Sequence, residues 1–117
     1  VLKNSVRIQQ GNKIHALYKK EAAPFIQKWT QILGVELKDW RIKLMKTKWG
    51  SCNCTEKRIW LNLELAKKSS NCIEYIVVHE LLHLIERTHN KKYTQLLDAY
   101  LPKWRQHKNE LNELVFD

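Results

Sequence analysis

The chain has 117 residues, enough for one domain that buries roughly two-thirds of the surface its unfolded chain exposes. Hydrophobic residues make up 44% and charged residues 28%, a globular composition, and three glycines with two prolines argue against a loop-dominated fold. Twenty-one Lys/Arg against twelve Asp/Glu leave a net charge of +9; there is no apolar run of about 18 residues to span a membrane and no apolar signal segment at the N-terminus, so a cytoplasmic protein is expected.

The first third reads as helix. Ile14, Leu17, Tyr18, Ala22, Phe25, Ile26, Trp29, Ile32 and Leu33 recur at helical spacing. Pro24 is expected to kink or divide this helix, and Gly34 to end it. Next, Trp40, Ile42 and Leu44 alternate with Arg41, Lys43 and Met45, as in a half-buried strand. Ile59, Leu61 and Leu63 alternate with Arg58, Trp60 and Asn62 in the same way. The two are expected to form an antiparallel hairpin, joined by a long loop or a short intervening strand over the turn-rich Trp49–Thr55 stretch. Leu63 to Lys68 fits one short helical turn.

Arg41 to Arg58 holds six basic residues (Arg41, Lys43, Lys46, Lys48, Lys57, Arg58) and one acid, Glu56, with Trp40, Trp49 and Trp60 in or beside it. Such a stretch can hold nucleic acid by phosphate contact and stacking, or it can be a solvated face over core tryptophans. Cys52, Cys54 and Cys72 are an odd number, and Cys52 and Cys54 stand too close in sequence for an easy mutual disulfide. They are read as reduced thiols, since a metal role lacks the usual spacer and a second ligand pair.

A helix follows Ser69-Ser70-Asn71, with Asn71 and Glu74 resembling a capping box, and is expected to reach about Arg87. On a wheel starting at Ile73, the residues Val77, Val78, Leu81, Leu82, Leu84 and Ile85 fall within about half a turn of it. His79, Glu80, His83 and Glu86 share the opposite, narrow polar window, with only Ile76 among them. Asn90 suits the cap of a next helix carrying Tyr93, Leu96, Leu97, Tyr100 and Leu101. Pro102 suits the first turn of a last one, with Trp104, Leu111, Leu114 and Val115 on one side.

The polar window carries the chemistry. His79-Glu80-Leu81-Leu82-His83 is an HExxH motif, in which two histidines one helical turn apart can grip a single metal ion. His89 follows six residues later, where the chain must turn, as the third ligand, which leaves a fourth position for water. Zinc is the expected ion, one per chain, although nickel, cobalt or manganese could occupy the same imidazoles. Glu80, beside the first ligand, is the expected general base. Glu86 could orient a histidine or form a surface ion pair with Arg87 or Lys92; as a ligand in place of His89 it is the weaker variant. An oxyanion stabiliser is also needed. Tyr93, Tyr100, His107 and the basic residues are candidates, against the alternative that Tyr93 is a core tyrosine. His15 and His107 are otherwise expected at the surface.

Four segments, Lys46–Cys52, Ile59–Asn62, Ile73–His89 and Leu101–Trp104, together resemble the YgjP-like metal-dependent hydrolases, bacterial zincin-type proteins related to the WLM and SprT-like metalloproteases. The similarity runs from about Ala16 to Leu111. It implies an α+β fold, a small zincin-like domain, mainly helical, with a short antiparallel hairpin or sheet packed on the HExxH helix. It also implies His79, His83 and His89 as zinc ligands, Glu80 as base, and a strand near Trp49-Gly50-Ser51 along which an extended peptide can pair. The His83 to His89 spacing equals that of metzincins, but Glu86 stands where they have glycine and no Met-turn is evident. Residues 1–117 are accordingly expected to be a single metallohydrolase domain, a fragment lacking the β-rich N-terminal region of full-length family members. The function expected is a zinc-dependent metallopeptidase acting on peptide or protein. The alternatives are a nucleic-acid-associated protease or DNA-binding module, and a catalytically silent metal-binding domain. Oligomeric state is not legible.

Overall fold

The computed structural model describes residues 2–113, so the expected packing of Leu114 and Val115 lies outside the described residues. Helix α1 (Leu2–Leu33) is followed by strands β1 (Asp39–Lys43), β2 (Gly50–Asn53) and β3 (Arg58–Asn62). A single 3-10 turn (Leu63–Lys67) then leads to helices α2 (Ser70–Leu82), α3 (Lys91–Tyr100) and α4 (Trp104–Glu113). The α+β expectation holds.

Helix α1 continues through Pro24 instead of dividing there. It buries Tyr18, Ala22, Ile26 and Trp29, a narrower stripe than the periodicity implies, because Ile14, Leu17 and Ile32 remain about half exposed. Gly34 ends the helix as expected. At φ +65° it lets its own N–H reach Gln31 O (3.2 Å) and the Val35 N–H reach Thr30 O (3.2 Å), the paired bonds of a Schellman turn.

The sheet corrects one expectation. Its order is β1-β3-β2, with β1 parallel to β3 and β2 antiparallel to β3. The intervening strand exists, so the chain reverses twice between β1 and β3 and they cannot form an antiparallel hairpin. The central strand β3 lays Ile59 and Leu61, both fully buried, against the helices. β2 is left as an edge.

Helix α2 is the core. Cys72, Ile73, Val77, Val78, Leu81 and Leu82 are wholly buried, and Tyr75, Ile76 and Glu80 nearly so. The capping box is not formed. The N-cap is Ser69, whose hydroxyl donates to Glu110 Oε1 (2.6 Å) instead. Glu74 is drawn to α1, accepting from Trp29 Nε1 (2.8 Å) and Lys28 Nζ (3.2 Å). α2 also stops five residues before the expected end at Arg87. Beyond Leu82 the chain leaves the core through a tight turn, and Ile85 is 40% exposed there. Asn90 caps α3 as expected, its side chain accepting from the Tyr93 N–H (3.0 Å). Pro102 sits just before α4, not in its first turn.

Among the described residues, no helix is long and apolar enough to cross a membrane.

Candidate metal centre and cleft

The last turn of α2 projects His79 and delivers His83 at its C-cap. The turn that follows swings His89 back over them. His89 Nε2 lies 3.2 Å from His79 Nε2 and 2.8 Å from His83 Nε2. One ring nitrogen cannot serve both neighbours as an ordinary donor, whereas tetrahedral ligands at ~2.0–2.1 Å from one ion stand roughly 3.3 Å apart. The donor set thus fits a single metal ion. Among the described residues, these three are the one cluster of three or more metal-binding side chains.

A backbone group orients the His83 ring, whereas His79 Nδ1 is buried without a hydrogen-bond partner among the described residues. His83 Nδ1 is 3.1 Å from Glu86 O. Donation to that carbonyl leaves Nε2 with its lone pair toward the cluster. So it is the carbonyl of Glu86, not its carboxylate, that orients a histidine. The carboxylate instead accepts from Asn90 Nδ2 (3.1 Å) and lies 4.0 Å from Lys92, so it braces the loop carrying His89. Tyr93 is 3% exposed, donates its hydroxyl to His79 O (2.7 Å) and stacks on His83 (centroids 4.8 Å apart, planes at 19°). That geometry favours the core-tyrosine alternative, because the hydroxyl is committed away from the cleft. Cys54 Sγ donates to His83 O (3.1 Å), closing the end of α2.

Glu80 points between α2 and β2 and is 5% exposed. Gly50 makes this possible. A Cβ there would come within 2.9 Å of Glu80 Oε2 and 3.0 Å of Ile76 Cγ2. Burial pushes the Glu80 carboxyl up to about 8, against a smaller opposing pull from Lys48. Burial also drives His79 down to about 3, helped by His83, His89 and Lys108. His83 is lowered too, again mainly by burial. The pocket thus disfavours charge on the carboxylate and on the imidazoles alike.

A cleft of about 510 Å³ opens over these groups, walled by Thr47 to Cys52, Tyr75, Arg87, Lys108 and Asn112. Trp49, Gly50 and Ser51 do border it, and β2 is the adjoining sheet edge. Asn62 N–H donates to Trp49 O (2.9 Å). By the alternation of an antiparallel ladder, Gly50 and Cys52 therefore direct their backbone groups away from β3, to the open edge.

Two residues were missed. Asn62, 4% exposed, donates to Met45 O (3.0 Å) and Lys48 O (2.7 Å) and accepts from the Met45 and Glu64 N–H groups (3.2 and 3.0 Å). It fastens the loop that walls the cleft; its place just before a helical turn was the available signal. Tyr75, one turn before His79, packs edge-on against that ring (5.8 Å, 76°) and lines the cleft, and its hydroxyl has no hydrogen bond to another described residue. Of the other oxyanion candidates, Tyr100 packs on Trp29 and His107 does not line the cleft. His15 and His107 are both half-buried, and neither joins the histidine cluster.

The basic stretch is divided by the fold. Arg41 and Arg58 pair with Asp39 (2.8 and 3.1 Å), Arg58 also with Glu56, and Lys57 with Glu36 (2.9 Å), so Asp39 and Glu36 from outside the stretch join its own Glu56 in pairing these three cations. Lys43 sits over the Trp60 ring, 4.3 Å from its centre. Lys48 instead borders the cleft.

Solved structures share this architecture. The zymogen of the metallopeptidase abylysin from Pyrococcus abyssi superposes with a TM-score of 0.73 at 18% identity, covering 80% of this chain and 94% of that one. That of jannalysin from Methanocaldococcus jannaschii gives 0.72 at 21% identity, covering 81% and 90%. At such identities the likeness is one of fold. No curated protein matches. The family model described as the YgjP-like metallopeptidase domain matches residues 1–114, almost the whole sequence including every side chain of the histidine cluster, and the chain belongs to that family.

Proposed function

We propose that the chain is a zinc-dependent metallopeptidase in which His79, His83 and His89 hold the ion and Glu80 is the general base. The observation that carries this reading is the convergence of three imidazole nitrogens, 2.8 and 3.2 Å apart, beside a buried carboxylate. A bound zinc would supply a Lewis acid for the scissile carbonyl and lower the pKa of a water at its open position.

The chain's own residues do the rest. Burial keeps His79 and His83 neutral, the form in which an imidazole binds metal. The Glu86 carbonyl orients the His83 ring, and the Tyr93 hydroxyl fastens the backbone of His79. Glu80, in a pocket that raises its proton affinity, takes a proton from the attacking water and passes it to the leaving amine. Gly50 keeps the space that the carboxylate needs. An extended peptide pairs with the outward backbone groups of Gly50 and Cys52, which aligns its carbonyl over the histidines. Tyr75 offers the uncommitted hydroxyl on the cleft wall to share the developing oxyanion.

A catalytically silent metal domain would call for a protein group at the fourth position. Among the described residues, no other Cys, His, Asp or Glu joins the cluster, which favours turnover. The test is hydrolysis of a peptide library by zinc-loaded protein, with and without chelator. Turnover that the chelator abolishes and zinc restores is expected. Its absence across the library, or turnover that survives in Glu80→Gln, sinks the proposal.

A further inference from the structure

The cleft does not end at the histidines. Past the loop Thr47–Trp49 it continues into a second depression of about 690 Å³, the two sharing Thr47, Lys48, Trp49 and Asn112. Lys46, Lys48, Lys67 and Lys68 line the second depression, while Lys48, Arg87 and Lys108 line the first. Among the described residues, two acids line either one. Glu80 is buried, and Glu64 is held by Lys67 at 2.8 Å. Lys46, Lys48, Lys68, Arg87 and Lys108 make no ion pair with any described residue, unlike Arg41 and Arg58 on the sheet and Lys57 in its β2–β3 turn.

This arrangement is positioned by the fold. Asn62 clamps the Met45 and Lys48 carbonyls and so fixes the loop that carries Lys46 and Lys48. Lys68 lies over the Trp49 ring, 5.5 Å from its centre, which aims its ammonium at the same depression. Trp49 directly precedes the edge strand β2. A strand paired along Gly50 and Cys52 therefore runs over Trp49 and into the lysines.

Resting on the peptidase reading, we propose that the site selects acidic peptide segments. Lys46, Lys48 and Lys68 are the specificity-determining residues, binding Asp or Glu side chains on the side of the scissile bond that passes Trp49. Concave walls concentrate the field of these cations, so complementary charge raises both local concentration and selectivity. A peptide suits the site better than nucleic acid. The cations border a cleft that adjoins free edge-strand groups, and the aromatic sheet face has its arginines paired with acids.

The test is fluorescence anisotropy with zinc-loaded Glu80→Gln protein and labelled peptides of equal length that are acidic, neutral or basic. Each exposed ion pair contributes a few-fold at most, so the acidic peptide is expected to bind about tenfold tighter than the neutral one at low salt. The margin is expected to shrink as salt rises. It should vanish in Lys46→Gln/Lys48→Gln/Lys68→Gln and persist in Lys19→Gln/Lys20→Gln, which removes two charges from α1. Circular dichroism verifies that each variant is folded. Equal affinity for acidic and neutral peptides overturns the proposal. So does tighter binding of a DNA oligonucleotide with the same charge as the acidic peptide, which assigns the surface to nucleic acid. Equal cleavage of both peptides by wild-type protein overturns the selectivity and leaves the peptidase reading standing. Lysine-dependent acidic binding without Glu80-dependent cleavage overturns the peptidase reading and supports the charge selection.

Discussion

Helix α2 and the turn that follows it contribute to one cluster by different means. α2 is buried along most of its length, and its two histidines are held by a helical backbone, the Tyr93 hydroxyl and the Glu86 carbonyl. His89 lies on an exposed connection braced by the polar contacts of Glu86 and Asn90. The comparison teaches that two ligands are placed by the packed core while the third rides on an exposed loop held by polar contacts. Such an arrangement would let the His89 loop open without loosening the core, since local opening free energies vary widely within one fold.

The largest effects should come from α2. His79→Ala or His83→Ala is expected to weaken zinc affinity by more than the ~10–100-fold typical of losing an orienting partner, as read by competition with a chelating dye. His89→Ala should weaken it less than either; an equal or larger loss breaks the comparison. Gly50→Ala drives a Cβ into the Glu80 carboxylate and is expected to cost on the order of 100-fold in turnover, since small misplacements of a reacting group are that expensive. Zinc content should remain near one ion per chain. Hydrogen exchange after zinc removal is expected to accelerate at residues 84–90 and to leave Ile73–Leu82 protected. Uniform deprotection would show that both regions depend on the ion equally.

Smaller effects probe stability. Asn62→Ala removes four part-buried hydrogen bonds to backbone groups of Met45, Lys48 and Glu64 and is expected to cost about 1–3 kcal/mol in chemical denaturation. The metal-free protein should also carry a pH signature. His79 falls from 6.5 to about 3 on folding, so the unfolded chain binds more protons in that window and stability rises with pH across it. Glu80 rises from 4.5 to about 8, so the folded chain binds more protons there and stability falls as pH climbs through that range. Glu80→Gln should abolish the decline in denaturant midpoints between about pH 6.5 and 8 and leave the rise below about 4.5 intact.

What was legible in the sequence was local. The HExxH spacing follows from helical periodicity, the Asn90 cap from one side chain reaching three residues on, and the Gly34 stop from a backbone conformation that glycine adopts easily. The misses lie where distant segments meet. The parallel pairing of β1 with β3 depends on how many times the chain reverses between them. Glu74 looked like half of a capping box, but Trp29 and Lys28, far off in sequence, claim its carboxylate. The wheel placed Glu80 in a polar window, which suggests solvent. Only the approach of Gly50 shows that the window is covered. Asn62 reads as an ordinary strand-end asparagine until its four backbone partners are seen.

The central claim is that a histidine-bound ion and the Glu80 carboxylate act together on a peptide bond. The most direct measurement is the rate of peptide hydrolysis by wild-type and Glu80→Gln proteins matched for zinc content. Loss of a positioned general base predicts a drop of about 10²–10⁴-fold at unchanged zinc occupancy. Equal rates in the two proteins would contradict the account.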